Sequence, residues 1–300
     1  MGPTSAESAP GAATSAWASR AGGDLDEYLR GREHTENFPV ALRVLPREHR
    51  THLATVYDVA RVIDDLGDEA PGDRVALLTA FRDDLERIWL DGEPRTPVLR
   101  RLAPTVRACS LSRQPFVDLV EANLVDQVTE VYPTYADLLA YCELSANPIG
   151  RTVLELFGAS TPERVALSDR ICTGLQIIEH CQDVAEDRRA GRIYLPLEDL
   201  DRFGVAPEDL DAAETTKQTR QLVEFEAQRA IDLLIAGSPL IGRLRGWARL
   251  AVSGYAAGGH AAFTSLKRTN WDVMAHCAKI RRTDVIGQLV VTLVRGKVGS

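Results

Sequence analysis

Glu179, Asp183 and Asp187 recur at every fourth position of ICTGLQIIEHCQDVAEDRRAGRIYLP, residues 171–196. On a helix this spacing stacks three carboxylates along one face, where they repel one another unless cations lie between them. The flanking positions are apolar (Ile171, Leu175, Ile177, Ile178, Cys181, Val184), and Arg188, Arg189 and Arg192 follow at once. Carboxylates offer the hard oxygen ligands that Mg2+ takes, and arginine forks grip phosphate oxygens. The stretch therefore has the ingredients of a magnesium–diphosphate site. The competing reading is a solvated acidic face, the usual role of a charge stripe on a helix. A second stretch, YDVARVIDDLGDE at 57–69, weighs against that reading. Asp64 and Asp68 are again four apart, with Asp65 beside them and Arg61 and Tyr57 extending the face. Two such stripes predict helices that face each other across a polar cavity, with metal ions neutralising both.

The chemistry that suits such a cavity is ionisation of an allylic or cyclopropylcarbinyl diphosphate. Metal ions and arginines neutralise pyrophosphate as it departs. The carbocation left behind needs a dry pocket, so that water reaches it only where intended. Aromatic faces can steady it. The candidates near the motifs are Phe38, Tyr57, Tyr141 and Phe157, although any one of them taken singly is more often plain core.

The elements that must position these residues read as helices. Apolar residues recur at three-and-four spacing in 47–68, 73–90, 115–130, 134–147, 163–190, 220–236, 239–266 and 283–296. Stops fall at Pro71-Gly72, Asp91-Gly92, Gly158, Pro162, Gly191, Pro196 and Gly237 with Pro239. Ser160-Thr161-Pro162-Glu163 has the capping hydroxyl and first-turn proline of a helix start. Residues 196–218 are acidic and poor in large apolar groups, which predicts a surface loop with a short helix. No run of alternating strands and no internal repeat is visible. The expected architecture is one all-α domain spanning 23–300 around a central cavity, preceded by a disordered tail over 1–22 that is rich in Ala, Ser, Gly and Pro.

Composition bounds the function class. Of 300 residues, 45% are hydrophobic, enough for a sizeable core, and the net charge of −8 argues against a nucleic-acid partner. Cys109, Cys142, Cys172, Cys181 and Cys277 form no CxxC pair, which suggests reduced thiols in a cytoplasmic protein. The uncharged stretch LAVSGYAAGGHAAFTSL at 250–266 is at the bottom of the spanning range of about 17–25 residues and carries His260 and three glycines. A buried helix whose small residues leave room for a long apolar ligand fits it better. The tail lacks the basic start and apolar run of a signal peptide.

Several linked motifs from about His34 to Arg282 together resemble the squalene/phytoene synthase family of head-to-head prenyl synthases. His34-Thr35-Glu36-Asn37-Phe38 with the later Leu45-Pro46 is similar to the family's N-terminal phosphate-contacting segment. Tyr57-x-x-x-Arg61-x-x-Asp64-Asp65-x-x-Asp68 is similar to its first aspartate-rich motif. Tyr141-Cys142 through Gly150 resembles the central segment, where a helix is broken beside the cavity. Gln176 through Pro196 is similar to the second motif, ending in Gly191-Arg192-Ile193-Tyr194-Leu195-Pro196. The resemblance implies an isoprenoid-synthase-type helical bundle. It also implies Mg2+ held by Asp64 and Asp68 on one wall and by Asp183 and Asp187 on the other, with Glu179 standing where the family often has asparagine. Phosphate contacts are implied for His34, Thr35, Arg61 and Arg192. Phe38, Tyr57, Tyr141, Asn147, Gln176 and Tyr255 are implied to line the substrate site. Gln182 stands where the family commonly has arginine, so one phosphate-neutralising charge is missing or moved.

Within the family, the residues at 36–41, the run Ser145–Arg151 and the run Gln182–Ala185 look like the bacterial branch that makes hydroxysqualene in hopanoid pathways. The reaction implied is conversion of presqualene diphosphate and water to hydroxysqualene and pyrophosphate, without NADPH. The chain contains no GxGxxG stretch. Asn147, at the helix break, is a candidate for placing the quenching water. The resemblance also implies a prenyl diphosphate as substrate, peripheral contact with the inner face of the cell membrane, and hand-over to other squalene-pathway enzymes. The alternative within the family is condensation of two farnesyl diphosphates to presqualene diphosphate, squalene or a carotenoid precursor. Outside it stand a non-catalytic helical scaffold, which intact Asp64, Asp68, Asp183 and Asp187 speak against, and a class I terpene cyclase, whose acidic motifs have a different spacing.

Overall fold

Leu53, Val56, Val59, Ile63 and Leu66 give the first helix among the described residues, α1 (Arg47–Asp68), a fully buried stripe, while Tyr57, Arg61, Asp64 and Asp68 share a different face of it. The computed structural model describes residues 44–90, 92–274, 283–285, 287–289 and 291–292. After α1 come α2 (Arg74–Glu86), α3 (Pro97–Cys109), α4 (Gln114–Val125), α5 (Tyr135–Ser145), α6 (Asn147–Leu156), α7 (Pro162–Gln182) and α8 (Val184–Arg189). A short α9 (Leu197–Phe203) and a 3-10 turn (Pro207–Asp211) precede α10 (Lys217–Gly237), α11 (Pro239–Arg243) and α12 (Gly246–Arg268). Residues 283–285, 287–289 and 291–292 are helical as well. Among the described residues there is no strand, only one isolated parallel bridge between Val131 and Ile193. The chain forms a single helical domain, as the periodicity predicts.

Two apolar cores divide the molecule. One is built on α1 to α4, around Ile63, Leu66, Leu78, Phe81, Leu99 and Phe116. The other is built on α5, α7, α9, α10 and α12, around Leu138, Ile177, Cys181, Leu222, Leu234 and Ala256. Helix α6 joins them, with Val153 and Leu156 in the first and Leu154 in the second. The backbones of α7 and α10 touch: a Cβ added at Gly174 would meet the Ala230 carbonyl oxygen at 2.6 Å. Only glycine permits that approach. Helix α12 is buried along Ala251–Gly254, Ala256–Gly259 and Ala261–Ala262, the small-residue burial that its composition predicts.

Several expected boundaries differ. Helix α2 ends at Glu86 rather than 90, and α4 at Val125 rather than 130. The expected helix over 163–190 is broken at Asp183, whose φ of −103° and ψ of 13° leave the helical region. The ladder of backbone bonds nevertheless continues across the break, from Asp183 N to Glu179 O at 2.9 Å and from Asp187 N to Asp183 O at 2.8 Å. The expected helix over 239–266 is split at Leu244 and Arg245, which are extended. Helix α3 was not expected at all. Its prolines at 97 and 104 mask a stripe of Val98, Leu99, Leu102 and Val106 that is in fact buried. Helix α6 lies outside the periodic stretches, but the break that precedes it, at Ala146, falls within Tyr141–Gly150, where the resemblance implies one; Pro148 has no N–H to continue the α5 ladder.

Candidate active site

The acidic faces of α1 and α7 look at each other from opposite cores. Helix α1 packs on α2, α3 and α4, whereas α7 packs on α6, α10 and α12. Between the two helices run polar side chains. The Arg61 charge acts on both Asp64 of α1 and Glu179 of α7, and so lies between the walls. Asp64 and Glu179 are both open to water-sized access, yet protein surrounds each of them. Side chains in that situation line a recess. Deeper along the same seam, the Tyr57 hydroxyl of α1 donates to the Tyr255 hydroxyl of α12 at 3.5 Å, with Cys172 of α7 beside them.

The electrostatics of the recess are those of crowded anions. Burial pushes the Asp64 carboxyl up to about 7, and Asp68 and Asp65 add to that, while the Asn123 amide and Arg61 oppose it. Asp183 is likewise pushed up to about 7, by burial first and then by Glu179 and Asp187. Glu179 is raised by burial and by Asp187. Carboxylates held this way are destabilised as anions and gain from any cation that enters. The donors are all oxygen, the set that Mg2+ takes. Among the described residues no three His, Cys, Asp or Glu side chains converge into a ready cage. Pairs of carboxylates suit Mg2+, which keeps several waters and completes its shell with substrate phosphates.

The two motifs are tied at their ends. Arg192, which follows the second motif, lies 2.9 Å from the Asp68 carboxylate of the first. The segment carrying it is strapped to residues 130–133. Ile193 N donates to Glu130 O at 2.8 Å and Leu197 N to Tyr132 O at 2.9 Å. Within the second motif the His180 ring stacks on Tyr194 with centroids 3.9 Å apart. Gln176 Nε2 lies 3.3 Å from His180 Nε2, and His180 Nδ1 lies 3.7 Å from Asp187.

The end of α4 and the two residues that follow it support both walls, and nothing in their spacing announces this. Asn123 Nδ2 donates to Asp64 at 3.3 Å, and Gln127 Nε2 donates to the Gly67 carbonyl at 3.1 Å. Asp126 accepts from the Tyr141 hydroxyl on Oδ2 at 2.7 Å and from the Tyr194 hydroxyl on Oδ1 at 3.2 Å. Burial raises the Asp126 carboxyl, and the two hydroxyls and Arg192 hold it back. Asn123, Asp126, Gln127 and His180 were not among the residues singled out from the sequence. Their one signal is the three-and-four spacing of 123, 126 and 127 at a helix end, which is indistinguishable from a cap.

Of the residues that were singled out, Tyr57, Arg61, Asp64, Asp68, Gln176, Glu179, Asp183, Asp187, Arg192 and Tyr255 fall on the seam or its rim, and Tyr141 joins through Asp126. Asn147 is buried at the start of α6, where its Oδ1 accepts from Thr173 of α7 at 3.0 Å. That contact turns Oδ1 toward α7 and leaves Nδ2 as a donor. Phe157 packs its ring on His49, at 5.0 Å between centroids. His34, Thr35 and Phe38 lie outside the described residues. The cysteines at 109, 142, 172 and 181 are free thiols, and no helix among the described residues is long and apolar enough to cross a membrane.

Known proteins resemble the chain over most of its length. The family described as squalene/phytoene synthase matches residues 31–285. A hydroxysqualene synthase of Rhodopseudomonas palustris is 32% identical over 221 residues, covering 73% of this chain and 75% of the relative. A phytoene synthase of Mycobacterium tuberculosis is 32% identical over 218 residues, with 71% of each chain covered. Among solved structures, squalene synthase HpnC from Alicyclobacillus acidocaldarius superposes with a TM-score of 0.75 at 39% identity, covering 83% of this chain and 95% of that one. A dehydrosqualene synthase, at 22% identity, shares the fold with a TM-score of 0.82, covering 97% of this chain and 100% of that one.

Proposed function

The chain belongs to the squalene/phytoene synthase family, and we propose that within it the enzyme converts presqualene diphosphate and water to hydroxysqualene and pyrophosphate. The observation that carries this reading is the facing pair of acidic stretches, Asp64 with Asp68 and Asp183 with Asp187, bridged at the rim by Arg192. Branch assignment is supported by the residues at 36–41, 145–151 and 182–185 and by likeness to a hydroxysqualene synthase and to HpnC.

In this reading Asp64, Asp68, Asp183 and Asp187, with Glu179, would hold Mg2+, which would supply positive charge to the diphosphate oxygens. Arg192 and Arg61 bind phosphate oxygens and carry part of the charge that develops on the leaving group. Tyr57, Tyr141 and Tyr255 line the hydrocarbon part, where their rings stabilise a cation and their packing excludes bulk water. Asn147, through Nδ2, holds the water that adds to the cation. His34 and Thr35, in this reading, contact phosphate, and Phe38 lines the substrate site. The substrate is oily, so the enzyme works at the membrane surface and passes product to the next enzyme of the pathway.

Condensation of two farnesyl diphosphates is the second reading. Comparable identity to phytoene synthases favours it, as does a presqualene diphosphate synthase of R. palustris that is 31% identical over 176 residues, covering 58% of this chain and 62% of the relative. The experiment is a product assay with Mg2+ and no NADPH, with presqualene diphosphate and farnesyl diphosphate supplied in separate reactions. Hydroxysqualene from the first is the expected outcome. Presqualene diphosphate accumulating from the second, with no turnover of the first, moves the chain to the condensation step.

A further inference from the structure

Asp126 belongs to neither acidic stretch, yet it touches parts of the site that two different elements deliver. Each of its carboxylate oxygens holds one tyrosine hydroxyl, Tyr141 from α5 and Tyr194 from the strapped segment after α8. Those two rings lie 5.4 Å apart and share a cluster with Tyr132 and His180. Tyr194 is two residues from Arg192, so a fixed Tyr194 fixes the backbone from which Arg192 reaches Asp68. Its neighbours one turn back and one residue on, Asn123 and Gln127, hold Asp64 and the Gly67 carbonyl. By contrast, the Tyr132 hydroxyl, buried in the same cluster, has no hydrogen-bond partner.

We propose that Asp126 is a positioning residue of the diphosphate site, clamping the Tyr141 and Tyr194 hydroxyls so that the Tyr141 ring and Arg192 are held in register with Asp68. Because both hydroxyls donate to it, the Tyr141 oxygen turns its lone pairs away from Asp126 and into the cluster. An ionised carboxylate does this with two charge-assisted bonds, stronger than those a neutral acceptor forms. An amide cannot reproduce them, since one of its two ends donates. The inference rests on reading the acidic seam as a diphosphate site.

The test uses the full chain and two readouts. In the first, inorganic pyrophosphate is titrated in the presence of Mg2+. Removing the Asp126 charge would by itself tighten this binding, because one negative charge leaves the neighbourhood of the anion. Losing the position of Arg192 weakens it. For Asp126→Asn we expect weakening, with a loss in kcat/KM of about 10- to 100-fold, the usual effect of losing a group that orients a binding residue. The second readout places Asp126→Asn in a Tyr141→Phe/Tyr194→Phe background. No hydroxyl is left to clamp there, so the added change should cost less than about threefold. Tyr132→Phe, which removes the unpartnered hydroxyl, is the control for disturbing the cluster and should match wild type. Unchanged or tighter pyrophosphate binding by Asp126→Asn overturns the proposal, and so does a full loss that persists in the Phe/Phe background. If wild type turns over no prenyl diphosphate, the reading of the site fails, while the pyrophosphate titration still decides the role of Asp126.

Discussion

The Arg192 guanidinium lies 2.9 Å from the Asp68 carboxylate, so one ion pair closes the gap between the end of the first acidic stretch and the tail of the second. Asp68 is half exposed, and an exposed pair of this kind contributes no more than about 1 kcal/mol to stability. Its importance lies in the two groups it keeps together. Arg192→Ala should leave the melting temperature within about 2–4 °C of wild type. Turnover should fall by about 100-fold or more, through loss of positive charge at the leaving group. Melting curves beside steady-state kinetics check both halves.

Asp183→Asn should separate stability from activity. A carboxyl pushed up from its ordinary value to about 7 binds a proton in the fold that the unfolded chain has released. Stability is therefore lost as pH rises from about 4 to about 7. Without Mg2+, the asparagine variant escapes that loss. It should melt higher than wild type at pH 8 and show a smaller advantage at pH 5. Its turnover with Mg2+ should drop by about 100-fold or more. Equal melting temperatures at both pH values would contradict the crowding of anions described for the recess.

Gly67→Ala tests the support that α4 gives to Asp64. The new Cβ would collide with Asn123 Oδ1. Asn123 could swing aside only by breaking its bonds to Asp64 and to the Leu119 carbonyl. Overpacking of this kind costs about 1–3 kcal/mol, partly offset by the better helix propensity of alanine. Activity should fall more than stability, because Asp64 loses the amide that holds it. Asn123→Ala in the same background should relieve the clash, raising the melting temperature without restoring turnover.

Glu226 gives a pH effect remote from the site. It is fully buried beside Arg229 and Asp199, with Oε2 unpartnered, and burial pushes its carboxyl up to about 8. The folded chain thus holds a proton there between about pH 4 and 8, and stability falls as pH rises through that window. Glu226→Gln should flatten this part of the Tm profile, leaving the variant equal to wild type near pH 5 and more stable near pH 8. A parallel offset at every pH would show that Glu226 stays ionised in the fold.

Much of the frame was legible because stripes of large apolar residues survive in any context. Leu53 to Leu66 and Ile171 to Cys181 declare α1 and α7 without help, and the acids on their other faces declare the seam. What escaped depended on contacts across the chain. Asp126 acquires its significance only where Tyr141 and Tyr194 arrive from 15 and 68 residues away. Helix α3 escaped because Pro104 contradicts the stripe around it, a local penalty that burial of Leu99 and Leu102 outweighs. The break at Asp183 leaves the backbone ladder intact, so a four-residue spacing reads the same with or without it.

The walls of the recess belong to two separately packed cores, and this shapes how such a protein can evolve. A side chain on the seam that belongs to neither core, such as Tyr57, can change size without opening a void in either. The lining of the recess is therefore free to vary while the helices keep their mutual packing. A change at Gly174 has no such freedom, because α10 lies directly against it. The lining of the recess and the ribs behind it can in this way change independently.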